Sequence, residues 1–200
     1  MSPSATPRKR RKTASNRAKP ETRRSLPGDP DDRAVVERMI RVDQAGEFGA
    51  QQIYKGQLAV LRGTASEAAI ADMAAQEDAH LERFNELLVQ RRVRPTALTP
   101  IWRVAGFALG AGTALMGERA AMACTVAVEE VIEQHYQRQA DALGPREPDL
   151  KKTIEEFRRD ELAHRDVGLD HDAEAAPGYA VMRRGIKAGT RLAIWLSERI

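Results

Sequence analysis

The chain has 200 residues, of which 42% are hydrophobic and 30% are charged, and its formal net charge is +3. These values favour one folded domain with a tail and exclude a polytopic membrane protein. One cysteine, Cys124, excludes an intramolecular disulfide framework and a cysteine-based zinc finger. Because only 4% of the residues are aromatic, a stacking surface for nucleic acid is not expected.

The positive charge is concentrated at the start of the chain. Residues 1–28 contain nine of the 32 basic side chains and only one of the 29 acidic ones, Glu21, so the remaining residues carry a net charge of −5. Residues 1–33 include five prolines and few large apolar side chains, which predicts a disordered basic tail. The tail is a solvated arm, an element attracted to anionic lipid or, as a third choice, a contact for nucleic acid. It lacks the apolar face of a mitochondrial presequence.

Glycine and proline residues divide the rest of the chain into helices, and no stretch shows the alternation typical of a strand. Thr64 and Glu67 have the spacing of a capping box and predict the start of the second helix. The predicted helices cover about residues 30–63, 64–92, 99–117, 118–143, 148–168 and 179–198. This order predicts an all-α domain at 34–200 in which short loops join antiparallel neighbours.

Two of the four histidines follow a glutamate by three residues, in Glu77-x-x-His80 and Glu161-x-x-His164. In a helix, residues three apart share a face, so a carboxylate and an imidazole at this spacing can bind one metal ion. A single such pair is most often a surface pair. The second copy, with closely similar local sequence, indicates a shared role.

Each pair is preceded by a glutamate on the helix before it. Glu47 lies 30 residues before Glu77, and Glu129 lies 32 residues before Glu161. A tyrosine follows each of these upstream glutamates by seven residues, as Tyr54 and Tyr136. The chain therefore contains an internal repeat, which also favours Glu129 over its neighbours Glu130 and Glu133 as the site residue.

Two hairpins that face each other would bring four glutamates and two histidines into one bundle core. This is the ligand set of di-iron and di-manganese carboxylate bundles. Two divalent ions would neutralise four buried carboxylates, and oxygen ligands with one imidazole per ion suit iron or manganese. The candidate ligands are Glu47, Glu77, His80, Glu129, Glu161 and His164.

Several longer strings resemble the demethoxyubiquinone hydroxylases of ubiquinone biosynthesis. The similarity covers about residues 34–200 and is carried by Val42–Ala50, Phe84–Leu88, Arg92–Thr96, Gly106–Leu115, Ala123–Glu130 and Gly168–Glu174. It implies a ferritin-like four-helix bundle with additional membrane-interface helices. It also implies that the six candidate ligands are this family's iron-ligand positions.

The same resemblance implies a monooxygenase that uses two iron ions per chain and O2 to hydroxylate the ring of a polyprenylated demethoxyubiquinol. No flavin or nicotinamide motif is visible, so electrons would come from the quinol itself or from an external source, for which an NADH-derived one is a candidate. The implied partners are the quinol, a membrane surface, a lipid-binding accessory protein and a second copy of the chain, with no nucleic acid. The implied location is peripheral, on the cytoplasmic face of a bacterial inner membrane or the matrix face of the mitochondrial one.

Two further helices bear on membrane contact. Residues 101–117 are apolar but contain Arg103, so they are either a buried core helix or an interfacial element beside a substrate entrance. Gly106 and Gly110 give this helix a small-residue face suited to close packing. The basic and apolar helix at 179–198 also suits a membrane surface. A charge at Leu109 is expected to weaken vesicle binding.

Three other residues have candidate roles near the metal. His135 and Tyr136 are candidates for contact with the quinone or for proton relay, although such residues are more often part of the core or its rim. Asp43, one turn before Glu47, is a candidate for orienting a ligand imidazole. Two other functions remain open: a ferritin-like iron-storage or peroxide-detoxifying protein, and a metal-free helical lipid-binding adaptor.

Overall fold

The computed structural model describes residues 32–200, which form six α-helices and two short 3-10 turns. The helices are α1 (Asp32–Val60), α2 (Glu67–Arg91), α3 (Thr99–Leu115), α4 (Glu118–Leu143), α5 (Pro148–Asp170) and α6 (Tyr179–Ser197). No strand occurs within 32–200, so the all-α prediction is confirmed. The predicted tail at 1–33 lies outside the described residues apart from Asp32 and Arg33, which belong to α1.

The predicted capping box at the start of α2 is wrong. The helix begins at Glu67, whose carboxylate accepts a 2.6 Å hydrogen bond from the Gly63 N–H, while the Thr64 hydroxyl donates to the Leu61 carbonyl. Glu118, the first residue of α4, accepts hydrogen bonds from both the backbone N–H and the hydroxyl of Ser66. The first turn of α2 is therefore fixed by another helix, which local sequence spacing does not reveal.

The helices α1 and α2 form one antiparallel hairpin and α4 and α5 form the other, and together they make a ferritin-like bundle. The connecting helix α3 packs along α1, and α6 packs on α4 and α1. The most completely buried large side chains include Tyr54, Tyr136, Phe84, Ile40 and Ile154. The core therefore lies between the two hairpins, and α3 and α6 cover its α1 and α4 side.

The contact between α1 and α3 depends on glycine. A β-carbon at Gly110 would lie 1.9 Å from the Ile53 carbonyl oxygen, and one at Gly56 would lie 2.3 Å from the Phe107 carbonyl oxygen. Both distances are far below a van der Waals contact, so the two backbones can approach this closely only where no side chain stands between them. The close packing predicted for Gly106 and Gly110 is confirmed.

Gly110→Ala is expected to destabilise the fold strongly, because the added methyl group must push α3 away from α1. Overpacking usually costs about 1–3 kcal/mol, and we expect a loss at the upper end of this range in a chemical denaturation experiment. Gly112→Ala on the same helix is the matched control, since its β-carbon meets nothing within 4 Å. The control should gain up to about 1 kcal/mol from helix propensity. Equal losses in both variants would contradict the close contact.

The face of α3 turned away from α1 is open to solvent, so α3 is not a buried core helix. Exposed large apolar side chains on or directly after α3 are Ile101, Val104, Phe107, Leu115 and Met116, and those on α6 are Val181, Leu192 and Trp195. None of the helices within residues 32–200 combines the length and the apolarity needed to cross a bilayer.

Candidate metal centre

The four bundle helices bring all six candidate ligands together in the core. The helices α1 and α4 supply Glu47 and Glu129, and α2 and α5 each supply one Glu-x-x-His pair. Every one of the six is at most 4% exposed. Four carboxyl groups and two imidazoles therefore share a space closed to water, at a high desolvation cost unless cations bind there.

The donor atoms divide into two sets that each suit one metal ion. In each set, one donor atom per residue lies within 4.8 Å of the others. Half-site A consists of Glu47, Glu77, Glu161 and His80, and half-site B of Glu129, Glu77, Glu161 and His164. Glu77 and Glu161 belong to both sets, so each could offer one carboxylate oxygen to each half-site.

The unpaired polar atoms of the cluster match these two sets. Both carboxylate oxygens of Glu77 and of Glu161 have no hydrogen-bond partner. The same is true of one oxygen each of Glu47 and Glu129 and of the Nδ1 atoms of His80 and His164. These eight atoms supply four donors to each half-site. Because buried polar atoms are rarely left unpaired, the arrangement fits two divalent cations.

Without cations, three of the six groups hold protons unusually tightly, whereas contacts with His164 and His80 outweigh burial and lower the pKa of Glu161 to about 2. Burial, followed by repulsion from Glu161, raises the pKa of Glu77 and of Glu129 well above the usual carboxyl range. Burial alone would lower the pKa of His80, but its contacts with Glu161 and Glu47 raise it to about 10. Near neutral pH the metal-free site therefore keeps protons that a metal ion must displace.

Metal binding is accordingly expected to release protons and to strengthen as the pH rises. The raised pKa values of Glu77, Glu129 and His80 mean that protons compete with the ion at neutral pH. Calorimetric titration of the metal-free chain in two buffers of different ionisation enthalpy measures this release. An affinity that is constant between about pH 6 and pH 8 would contradict the protonated cluster.

The two repeated tyrosines hold ligands of the opposite repeat. The Tyr54 hydroxyl donates a 2.8 Å hydrogen bond to Oε1 of Glu129, and the Tyr136 hydroxyl donates to Oε1 of Glu47. In each case the other oxygen of the glutamate is left for the cluster. Tyr136 is 1% exposed, so the structure gives it a ligand-orienting contact. Its proposed roles in quinone contact and proton relay stay predictions.

The outer nitrogens of the two histidines also cross between repeats. Nε2 of His80 lies 3.2 Å from Oδ2 of Asp160, and Nε2 of His164 lies 3.3 Å from Oε1 of Gln76. Sequence reasoning missed both partners. The signal was present, because each is the residue directly before the glutamate of a Glu-x-x-His pair.

The role predicted for Asp43 is wrong. Its carboxylate accepts a 2.7 Å hydrogen bond from Gln139 and lies 3.4 Å from Nε2 of His135, which is outside the ligand cluster. Burial raises the pKa of Asp43 to about 6. His135 is 7% exposed and lines an open cleft beside α6, so contact with a bound molecule there stays a prediction.

The side chains of Glu130 and Glu133, which lie close to Glu129 on α4, are directed away from the cluster. Glu130 forms ion pairs with Arg183 and Lys187 of α6, and Glu133 pairs with Arg158 of α5. Only Glu129 reaches the cluster, in agreement with the choice made from the repeat.

An apolar cavity of about 250 Å³ lies between α1, α3, α4 and α6. Its walls include Gly46 and Gly49 beside Glu47, Val128 beside Glu129, and Leu109 and Gly189 from the covering helices. β-Carbons at Gly46, Gly49 and Gly189 would meet nothing within 4 Å, so small residues keep this space open. Leu109 is half-buried in this wall. A charge there would act on the cavity, so it is a poor probe of vesicle binding.

The chain is similar to proteins of known activity over most of its length. It is 56% identical over 191 residues to the 3-demethoxyubiquinol 3-hydroxylase of Rhodospirillum rubrum, covering 95% of this chain and 86% of that protein. It is 57% identical over 172 residues to the mitochondrial NADPH-dependent 3-demethoxyubiquinone 3-hydroxylase of Homo sapiens, covering 84% and 79%. For the mitochondrial 5-demethoxyubiquinone hydroxylase of Saccharomyces cerevisiae the identity is 46% over 184 residues, covering 84% and 79%.

The family model described as ubiquinone biosynthesis protein COQ7 matches residues 34–197, which contain α2 to α6 and all but the first two residues of α1. The resemblance stated from the sequence strings is therefore confirmed. This chain belongs to the COQ7 family of ubiquinone biosynthesis proteins.

Proposed function

We propose that this chain is a di-iron monooxygenase that hydroxylates the ring of a polyprenylated demethoxyubiquinol in ubiquinone biosynthesis. The observation that carries the proposal is the buried pair of half-sites with eight unpaired donor atoms. The activities for which relatives at 46–57% identity are named support the same reaction. One atom of O2 enters a ring C–H bond and the other leaves as water, with two electrons and two protons consumed.

Two iron ions held by the six ligands would supply O2 activation in a space closed to water. The chain's own residues do the rest. The hydroxyl groups of Tyr54 and Tyr136 hold one oxygen of Glu129 and of Glu47 in place. Burial of the cluster excludes solvent, which protects reactive species from side reactions.

The apolar cavity supports an entry route for a lipid quinol. It borders residues adjacent to Glu47 and Glu129, and its other walls come from α3 and α6. The exposed apolar side chains of these two helices fit contact with a membrane surface, from which the water-insoluble substrate would be supplied. We therefore place the chain peripherally, on the cytoplasmic face of a bacterial inner membrane or its mitochondrial counterpart. A lipid-binding accessory protein and a second copy remain candidate partners.

A separate cleft of about 470 Å³ suits an anionic reductant. Its charged lining consists of Arg38, Arg138 and Arg191 against one acidic residue, Glu198, and His135 and Trp195 also line it. Several relatives are named as NADPH-dependent, which supports a reduced nicotinamide nucleotide as the electron source. His135 lines this cleft, and its Nε2 atom lies 3.4 Å from Oδ1 of the buried Asp43. We therefore expect a molecule bound in the cleft to act on the core through His135.

A ferritin-like iron-binding or peroxide-detoxifying function is the second candidate, because its ligand set is the same. Such a function has no need of a cavity lined by apolar side chains next to the ligands. The cavity between α1, α3, α4 and α6 therefore favours the hydroxylase.

Product analysis separates the two functions. The iron-loaded chain is given a short-tailed demethoxyquinol, a reductant and labelled O2, and we expect one labelled oxygen in the ring. Consumption of peroxide or O2 without ring oxygenation would favour the second candidate. Iron analysis of chain purified under reducing, anaerobic conditions tests the metal-free alternative.

Two valine substitutions on α6 connect the reaction to the cavity. Gly189 lines the cavity and Gly185 does not, and a β-carbon at either position meets nothing within 4 Å. Gly189→Val is expected to lower ring hydroxylation at least about tenfold by occupying substrate space, with iron content unchanged. Gly185→Val should behave as the parent chain. Equal turnover in both variants would place the ring elsewhere.

A further inference from the structure

The two half-sites are close to symmetric, and the outer partners of their two histidines differ by one charge. In half-site A the outer nitrogen of His80 faces the carboxylate of Asp160, and in half-site B that of His164 faces the amide oxygen of Gln76. The acceptor in each case comes from the opposite Glu-x-x-His helix. The positions correspond, but a charged acceptor occupies one and a neutral acceptor the other.

The position of Nδ1 in the cluster determines that Nε2 is the donor in these two hydrogen bonds. Nδ1 of His164 is 3.1 Å from Oε1 of Glu77, and Nδ1 of His80 is 3.5 Å from Oε1 of Glu161. With Nδ1 turned toward the metal positions, Nε2 carries the hydrogen and donates outward. A carboxylate acceptor makes a stronger, charge-assisted bond than an amide does, and it makes the imidazole a better electron donor to a metal.

The remaining contacts are balanced between the half-sites. Each half-site has one terminal glutamate held by a tyrosine hydroxyl, and each receives one oxygen from Glu77 and one from Glu161. Two other differences lie on the side of half-site A. The ring of Phe157 stacks on His80 with centroids 3.9 Å apart, and the buried carboxyl group of Asp43 lies one turn before Glu47, where its hydrogen-bond partner is Gln139. The exchange of Asp160 for Gln76 is thus the main electrostatic difference around the two histidines.

We propose that the two metal positions are inequivalent and that the first divalent cation enters half-site A, because Asp160 strengthens His80 as a ligand while Gln76 leaves His164 weaker. Asp160 and Gln76 act as positioning residues, since both act through a histidine. The inference rests on the metal centre of the proposed function but on no step of the hydroxylation. Outer-partner changes typically alter metal affinity about 10- to 100-fold, and we expect the first ion to bind at least about tenfold tighter than the second.

The test is a Co²⁺ titration of the metal-free full chain, followed by absorbance and calorimetry. The parent chain should show two steps. Asp160→Asn keeps the shape and removes the charge, so the first step should weaken about tenfold. Gln76→Glu adds the corresponding charge, so the second step should tighten. Damage to the fold cannot tighten binding, and this gain therefore separates an electrostatic role from a merely structural one.

The control is Asp78→Asn, which removes a carboxylate that hydrogen-bonds to Gln51 and not to a histidine. It should change neither step. His164→Ala and His80→Ala assign the steps, because the first should keep the tighter ion and the second the weaker one. Two equal steps, or steps unmoved by Asp160→Asn and Gln76→Glu, would overturn the inequivalence alone. A parent chain that binds no Co²⁺ would overturn the metal centre itself.

Discussion

Glu161→Ala is expected to abolish hydroxylation and to remove both metal ions, because Glu161 supplies one oxygen to each half-site. Loss of an outer partner already costs about 10- to 100-fold in metal affinity, so loss of a direct ligand should cost at least about 100-fold at each position. Glu77→Ala should behave in the same way. Glu47→Ala and Glu129→Ala each remove a donor from only one half-site, and they should retain one ion per chain.

Iron content and turnover, measured together, check this pattern. Glu133→Ala is the control, because Glu133 lies on α4 one turn after Glu129 but pairs with Arg158 outside the cluster. It should keep two ions and full turnover. The assignment of the ligands fails if Glu161→Ala or Glu77→Ala retains both ions and parental activity.

The stability of a metal-free Glu77 variant gives a second test of the ligand assignment. Burial raises the pKa of Glu77, and neither of its carboxylate oxygens makes a well-oriented hydrogen bond, although Oε1 lies 3.1 Å from Nδ1 of His164. In the absence of metal, burial of this carboxyl group lowers the stability of the fold. Glu77→Gln should therefore not lower the melting temperature of the metal-free chain. A glutamate serving a structural network would show the opposite, because its removal would leave a partner unpaired.

The helices and the ligand cluster were accessible from the sequence because both follow from local spacing. Glycine and proline mark the ends of the helices, and the Glu-x-x-His spacing places two ligands on one helical face. The internal repeat then gave the long-range pairing, since two similar hairpins must meet through similar faces. Glu129 could be distinguished from Glu130 only through the spacing to Tyr136, and the ion pairs of Glu130 with α6 agree with this choice.

Contacts between helices could not be predicted from the sequence, because spacing along one helix does not specify them. Ser66 is held by Glu118, 52 residues away, so the start of α2 could not be placed by its own capping pattern. Asp43 lies one turn before a ligand, yet its partners are on α4 and outside the cluster. Asp160 and Gln76 follow the repeat, but their crossed pairing appears only when the two hairpins are packed together.

The four-helix bundle and the covering helices α3 and α6 have different roles. The bundle buries the cluster of six candidate ligands, and α3 is held against α1 by contacts that only glycine permits. Because the glycine face of α3 packs on α1, the opposite, apolar face of α3 is exposed to solvent. The close packing of α1 and α3 thus has two consequences: one wall of the cavity and an apolar surface beside it.

Val104→Glu is expected to weaken binding to lipid vesicles at least about tenfold, because it replaces an exposed apolar side chain of α3 with a charge. Val104 is 69% exposed, so the change should leave the fold intact. Burying a valine at an interface contributes about 1.5 kcal/mol or more, and placing a carboxylate there adds a further cost. Turnover of a long-tailed quinol presented in vesicles should fall with binding, whereas iron content and turnover of a soluble short-tailed quinol should be kept.

The matched control is Val89→Glu on α2, which makes the same substitution at a valine that is 79% exposed and lies outside α3 and α6. Vesicle flotation and turnover with both quinols should leave this variant equal to the parent chain. If Val104→Glu loses the long-tailed and the short-tailed reactions equally, α3 acts only as packing for the cavity. If both variants float with vesicles as the parent does, the membrane contact must be sought on another surface. Only a loss confined to Val104→Glu and to the membrane-borne substrate supports α3 as the surface through which the quinol arrives.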